Sequence, residues 1–129
     1  MKPYKLLRRK FRYDIRKGDC VCILSGIPIL DIKDLSLEHV VPLSRGPHYK
    51  CTQDYNIFPA YKIINNLKGD LLPCEFWALR EKIYKKALRQ YKLTQHDKQV
   101  IQAALNFIPR YKINPCSMCF LYENCDESR

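Results

Sequence analysis

Glu38 and His39 stand side by side, Asn56 follows, and Asn65 and Lys68 lie three residues apart just before Gly69. Residues of these types could hydrolyse a phosphodiester. At neutral pH that reaction needs a base to take a proton from water and a cation to carry charge on the phosphate and the leaving oxygen. His39 can be the base. Glu38 offers a hard carboxylate oxygen and Asn65 an amide oxygen, a pair that suits Mg2+ or Mn2+ with water in its remaining positions. Taken singly, each residue has an ordinary explanation: a histidine packed on a strand, an asparagine in a turn, an asparagine on an exposed helix face. Their order, with turn residues between them and a basic chain around them, is what points to chemistry.

These side chains need a frame. The run Leu35 to Val41 alternates apolar and polar residues and carries β-branched valines, which predicts a half-buried strand ended by Pro42. A loop rich in turn formers and positive charge follows, from Ser44 to Lys50, and in it Arg45 and His48 are candidates to contact nucleic acid. Asp54-Tyr55-Asn56 then leads into a helix expected from Pro59 to Lys68, with Pro59 in its first turn and Gly69 as its C-cap. Neighbours on a regular strand point to opposite faces, so Glu38 and His39 share a site only if the backbone departs from ideal strand before Pro42. Upstream, Cys20 to Leu24 reads as a short strand closed by Ser25-Gly26, and Ile27 to Leu30 as an extended piece that Pro28 confines to an edge. Together with the strand through His39, these supply the expected β part of a ββα unit.

Leu37-Glu38-His39-Val40-Val41-Pro42, Asp54-Tyr55-Asn56-Ile57 and Asn65-Asn66-Leu67-Lys68 resemble the motif of the HNH endonucleases, which have the ββα-metal fold. The match runs from about Asp19 to Asp70. The resemblance implies that Glu38 and Asn65 bind the metal, that His39 activates water, and that Asn56 braces the loop presenting His39. Lys68 falls where the family often has a lysine, and would contact phosphate. Asparagine at 65 makes this an H-N-N pattern similar to that of the HNH domains in RNA-guided nucleases, and glutamate at 38 replaces the more usual aspartate. Many family members also hold a zinc through a Cys-x-x-Cys on the helix. Tyr61 and Ile64 stand in those positions here.

The chain has 129 residues, which favours one domain, and 23 Lys and Arg against 13 Asp and Glu, a formal net charge of +10. That balance favours a polyanionic partner, because each neutralised phosphate releases condensed counterions. DNA is the expected partner, with RNA as the alternative polyanion. No stretch is long and apolar enough to span a bilayer, and the basic N-terminus lacks the apolar core of a signal peptide. A membrane is therefore not an expected partner, and an intracellular, cytoplasmic location is the expectation. One active site cuts one strand, so duplex cleavage needs two visits or two subunits, and a homodimer is one way to supply them.

Elsewhere, residues 1–18 form an expected basic helix, with Leu7, Phe11 and Ile15 as its apolar stripe and Lys5, Arg8, Arg9, Lys10, Arg12, Arg16 and Lys17 around it. Residues 71–110 read as a helical hairpin. Its first helix runs from Pro73 to about Tyr91 with Phe76, Leu79, Ile83 and Ala87 inward, and its second follows a Thr94 cap and ends at Pro109. The tail, 111–129, holds Cys116, Cys119 and Cys125 at Cys-x2-Cys-x5-Cys spacing. Turns between such residues let sulfurs converge on zinc or an iron-sulfur cluster, with Cys20, Cys22 or Cys74 as candidates for a fourth ligand. The spacing is similar to the closing three cysteines of iron-sulfur sites in some DNA repair glycosylases and recombination nucleases. In sum, the expectation is an α+β domain with a ββα-metal core at 19–70, flanking helices and a cysteine-rich tail. Two readings stand beside the nuclease: an inactive HNH-like nucleic-acid-binding module stabilised by a cysteine metal centre, and a structural or redox-responsive protein built on those cysteines.

Overall fold

Leu7, Phe11 and Ile15 recur at helical spacing, and the chain forms helix α1 over Pro3–Lys17 with Phe11 and Ile15 buried. Lys5, Arg8, Arg9, Lys10, Arg12, Arg16 and Lys17 are exposed along it. The computed structural model describes residues 3–90 and 92–121. Among these, five helices and a single two-stranded antiparallel sheet make an α+β arrangement. No helix among the described residues is long and apolar enough to cross a membrane.

The stretch after α1 departs from expectation. Instead of two strands, Cys20–Leu24 and Ile27–Leu30 make a tight loop held by a single antiparallel bridge, Val21 to Pro28. Cys22 N–H donates to Ile27 O at 2.9 Å and Gly26 N–H to Cys22 O at 2.8 Å. Cys20, Cys22, Leu24, Ile27 and Ile29 are all buried, so this loop serves the core as a plug of small apolar side chains. Gly26 turns the chain at φ +80°, and the Tyr111 ring lies directly against it.

The second strand lies later in the chain. Strand β1, Leu35–His39, pairs antiparallel with β2, Ile57–Tyr61, with Leu35 opposite Tyr61 and His39 opposite Ile57. Helix therefore does not begin at Pro59, which sits mid-strand opposite Leu37. Its carbonyl accepts from Ile23 N–H at 2.9 Å on the side away from β1, so its missing N–H removes no rung from the ladder. Between the strands is the short helix α2, His48–Cys51. Helix α3, Lys62–Lys68, follows β2 directly and stops at Gly69, whose φ of 57° and N–H bond to Asn65 O make the expected cap.

Helices α4, Pro73–Gln90, and α5, Gln95–Phe107, pack as the expected hairpin. Tyr91, expected at the end of the first, lies outside the described residues. Phe76, Tyr84 and Ala87 of α4 and Val100, Ile101 and Ala104 of α5 close one core with Phe11, Ile15, Leu35, Ala60 and Ile64. Leu79 is an exception to the stripe, 42% exposed. Thr94 caps α5 by accepting from Asp97 N–H at 3.1 Å. Tyr111 donates to Ile23 O at 2.6 Å, which ties the segment after α5 to the plug.

The plug gives a direct test. A methyl group at Gly26 would overlap the Tyr111 ring and would require an L side chain at positive φ. Gly26→Ala is expected to lower unfolding free energy by about 1–3 kcal/mol in urea titrations, and an unchanged midpoint would show that Tyr111 does not dock there.

Candidate active site

Two periodicities bring β1 and α3 together. On β1, Ser36 and Glu38 are two apart and share a face; on α3, Asn65 and Lys68 are three apart and share another. The faces meet in register. Asn65 Nδ2 donates to Ser36 Oγ at 3.0 Å, and Lys68 Nζ donates to Glu38 Oε1 at 3.1 Å. Lys68 also lies 3.5 Å from the His39 carbonyl. Glu38 and Lys68 are both essentially sealed from solvent, at 2% and 1% exposure. This corrects the expectation for Lys68, which is not placed to meet phosphate: it is the buried counter-ion of Glu38.

Asn56 is also buried, and both ends of its amide are used. Oδ1 accepts from Val41 N–H at 2.8 Å, while Nδ2 donates to the carbonyls of Val41 and Cys51, each at 2.9 Å. These bonds close the 40–56 loop around Val41 and Cys51, which are fully buried, and fix the chain just past His39. Asn56 thus acts on backbone, as a brace does. Cys51 is a small buried residue under this loop.

β1 ends at His39, and there the two neighbours reach one space. Glu38, His39 and Asn65 line a cavity of about 320 Å³ together with Leu37, Pro42, Leu43, Ser44 and Gly69. His39 is half-buried, and its Nε2 lies 3.3 Å from the hydroxyl of Tyr4 on α1, with the two rings edge to face. A second cavity, about 540 Å³, adjoins through Leu43 and is lined by Tyr4, His48, Thr52, Gln53 and Asp54. His48 is exposed there. Arg45, a candidate to contact nucleic acid, is exposed and pairs with Glu75 of α4 through Nη1 and Nη2 at 2.8 and 3.3 Å.

The electrostatics follow from burial. Burial pushes the Glu38 carboxyl up to about 7, with Lys68 opposing it. Burial first, and the Lys68 charge second, hold His39 below the ordinary imidazole value. A neutral imidazole at pH 7 is the form a general base requires. Glu38 Oε2 is buried and finds no hydrogen-bond partner among the described residues. Asn65 uses its Nδ2 on Ser36, which leaves Oδ1 to face another partner. Glu38, with one unpaired carboxylate oxygen, and Asn65, with one amide oxygen, line the same cavity, a donor set that fits a hard divalent cation that retains water.

The cysteines divide differently. Cys20 and Cys22 belong to the core, and Cys22 Sγ accepts from Tyr61 N–H at 3.4 Å. Cys74 is in the first turn of α4, Cys116 is within a 3₁₀ turn over Pro115–Met118, and Cys119 follows it. Among the described residues no three His, Cys, Asp or Glu side chains gather as a metal site. Cys125 lies outside the described residues.

Comparison with protein-family models, curated proteins and solved structures finds no match for this chain. The site therefore stands on its geometry. The residues that sequence reasoning missed are Tyr4 and Ser36. Tyr4 extends the Leu7, Phe11, Ile15 stripe by one turn, and Ser36 precedes Glu38 by one strand repeat.

Removing one partner of a buried pair leaves the other uncompensated. Lys68→Met is expected to lose about 3 kcal/mol near pH 8, where the buried Glu38, its opposing cation gone, must stay charged and unpaired or take up a proton that the unfolded chain does not hold. Lys68 holds the Glu38 value down, so its loss raises that value further above about 7, and the penalty should shrink toward pH 5, where protonating the buried carboxyl costs little. Adding Glu38→Gln should restore most of the stability. Urea titrations of the three variants at both pH values check this, and an equal loss at both would show that Glu38 is not the group released.

Proposed function

We propose that this chain is a metal-dependent endonuclease of the HNH class, hydrolysing phosphodiester bonds of DNA. The observation that carries the reading is that Glu38, His39 and Asn65 line one cavity while Asn56 clamps the chain beside them. In this reading neutral His39 takes a proton from water as the water oxygen bonds phosphorus in line and the bond to the 3′ oxygen breaks. Glu38, through Oε2, and Asn65, through Oδ1, would hold the divalent cation. When bound, that cation would stabilise charge on the phosphate and on the departing oxygen.

The rest of the chain suits a duplex of high charge. The exposed cations of α1 lie on the helix that touches His39, and their attraction to phosphate would steer a duplex toward the cavity. One observation favours a second reading. The Lys68 ammonium on Oε1 already offsets the carboxylate charge that would draw in a cation. A nucleic-acid-binding module of the same fold, without turnover, would tolerate that arrangement.

A plasmid-nicking assay across Mg2+, Mn2+ and no metal separates them. The nuclease reading expects metal-dependent cutting that His39→Ala lowers by at least about 100-fold, the scale of lost general-base catalysis, while salt-sensitive binding persists. Full cutting by His39→Ala refutes the assignment of the base. Wild-type binding without hydrolysis at low salt, with any divalent ion, establishes the module.

The pH profile has a definite sign. The active forms are neutral His39 and ionised Glu38, each present above its own pKa, and His39 has the lower one. At limiting cation, where the metal-free protein predominates, the rate is therefore expected to rise with pH through about 7, where Glu38 ionises, and to level off above it. A rate already flat at about pH 6 at limiting cation would mean that Glu38 does not act as a carboxylate.

A further inference from the structure

Helix α4 carries a second charged place that the scheme above leaves unused. Trp77, Arg80, Tyr111, Lys112, Asn114 and Pro115 line a cavity of about 370 Å³ between α4 and the segment after α5. The fold builds it from both sides. Trp77 and Arg80 are three apart on α4 and partly buried, with the Arg80 Cζ 3.7 Å from the centre of the Trp77 ring. Opposite them, Tyr111 is fixed by its hydroxyl on Ile23 O, and its ring centre lies 5.5 Å from that of Trp77.

The polar side chains of this cavity lean to donors. Arg80 Nη1 donates to Trp77 O at 3.3 Å, and Nε is buried with no hydrogen-bond partner among the described residues. Lys112, exposed, brings a second cation. Asn114 uses Oδ1 to accept from Cys116 N–H at 2.9 Å, which leaves Nδ2 as a donor. No Asp or Glu among the described residues lines the cavity, and Glu81, the carboxylate next to Arg80 in the chain, pairs with Lys85 at 2.9 Å. Burial acts on the guanidinium more strongly than Tyr84, Tyr111 and Glu81 attract it. A partly desolvated guanidinium with no ion pair among the described residues calls for an anion, and its planar, weakly hydrated head suits phosphate.

We propose that this cavity binds a phosphate group through Arg80 and Lys112, and that the phosphate belongs to a nucleic-acid strand running from the active-site cavity along α4. Only the source of the phosphate rests on the nuclease reading. Helix α4 leads from one place to the other. Its Glu75 takes Arg45, the neighbour of Ser44 in the inner cavity, and Arg80 follows after a helical rise of roughly 7 Å. Each phosphate neutralised there releases counterions, so the site adds a defined increment to the salt dependence of binding.

Trp77 is the only tryptophan of the chain, so its emission reports on this place. The test uses the full chain in EDTA, where binding is read without cutting, and a short single-stranded oligonucleotide. Trp77 emission is followed in wild type. Anisotropy of the labelled oligonucleotide gives affinity against salt for wild type, Arg80→Gln, Lys112→Gln and, as the control, Lys98→Gln, an exposed cation of α5 outside the cavity. Because Lys112 is exposed, its variant decides the matter even where loss of the Arg80 stack unsettles α4.

The expected result is a saturable change in Trp77 emission. Arg80→Gln and Lys112→Gln should each weaken binding about 5-fold at about 0.1 M salt and lower the slope of log affinity against log salt by about 0.7, with Lys98→Gln close to wild type. An unmoved Trp77 emission with unchanged slopes overturns the proposal, and so does an equal loss in Lys98→Gln, which would mean diffuse charge. Inorganic phosphate at matched ionic strength moving Trp77 as strongly as the oligonucleotide overturns the nucleic-acid source and leaves a free-anion site. A poly-glutamate peptide doing the same overturns the choice of phosphate. The expected losses in a protein that cuts no substrate with any divalent ion uphold the site and remove the nuclease reading instead.

Discussion

The arrangement of the site depends on the Glu38–Lys68 ion pair. A carboxylate and an ammonium withdrawn from water each cost several kcal/mol unless they meet with good geometry. Here they meet at 3.1 Å with almost no exposure on either side. That requirement sets the angle at which α3 crosses β1, because Lys68 reaches Glu38 only when the buried Ile64, one turn earlier, faces the core. The Asn65 to Ser36 bond then follows from the same register. Burial also sets the chemistry, since the desolvation that raises Glu38 is shared by the half-buried His39 and drives the imidazole toward its neutral form.

The candidate site was readable where chemistry and local turn signals coincide. Glu38, His39, Asn56 and Asn65 are polar residues embedded in apolar or turn-forming sequence, and that contrast marks them. Asn56 was expected to be a brace only through the HNH resemblance, since alone it reads as a turn residue; its amide bonds backbone at Val41 and Cys51. Lys68 was harder. A lysine is ordinarily a surface residue, and its burial here becomes apparent only when the helix phase from Ile64 and the strand phase from Ser36 are fixed together.

The fold was less readable at the strands. Pro59 is an ambiguous residue, suited to a helix start and equally to a strand whose outer side needs no donor. The second condition holds because the 20–29 loop lies against β2, with Ile23 donating to the Pro59 carbonyl and Tyr61 N–H reaching Cys22. That docking is tertiary and has no local signature. The same packing turned the predicted strands at 20–30 into a plug. Alternating cysteines and isoleucines look like a strand by period, but Gly26 at positive φ and the Tyr111 ring above it close the loop too tightly for a second ladder. The α4–α5 hairpin was clearer because its long apolar stripe and its Thr94 cap are local features.

The distribution of charge separates two tasks that composition alone merges. A net charge of +10 says only that a polyanion is favoured. In the fold, the basic residues do different things. Lys68 is spent inside the protein on Glu38, whereas the exposed Arg45 pairs with Glu75 of α4 at the surface. The cations of α1 face solvent, and the first turn of that same helix places Tyr4 on His39. The side that attracts phosphate and the side that touches the imidazole therefore belong to one rigid element, anchored by Phe11 and Ile15. Neutralising α1 should weaken attraction without altering the ring, whereas changing Tyr4 should alter the ring without altering attraction. The two effects belong to different residues of one helix, whose apolar stripe is continued by a tyrosine at the end nearest β1.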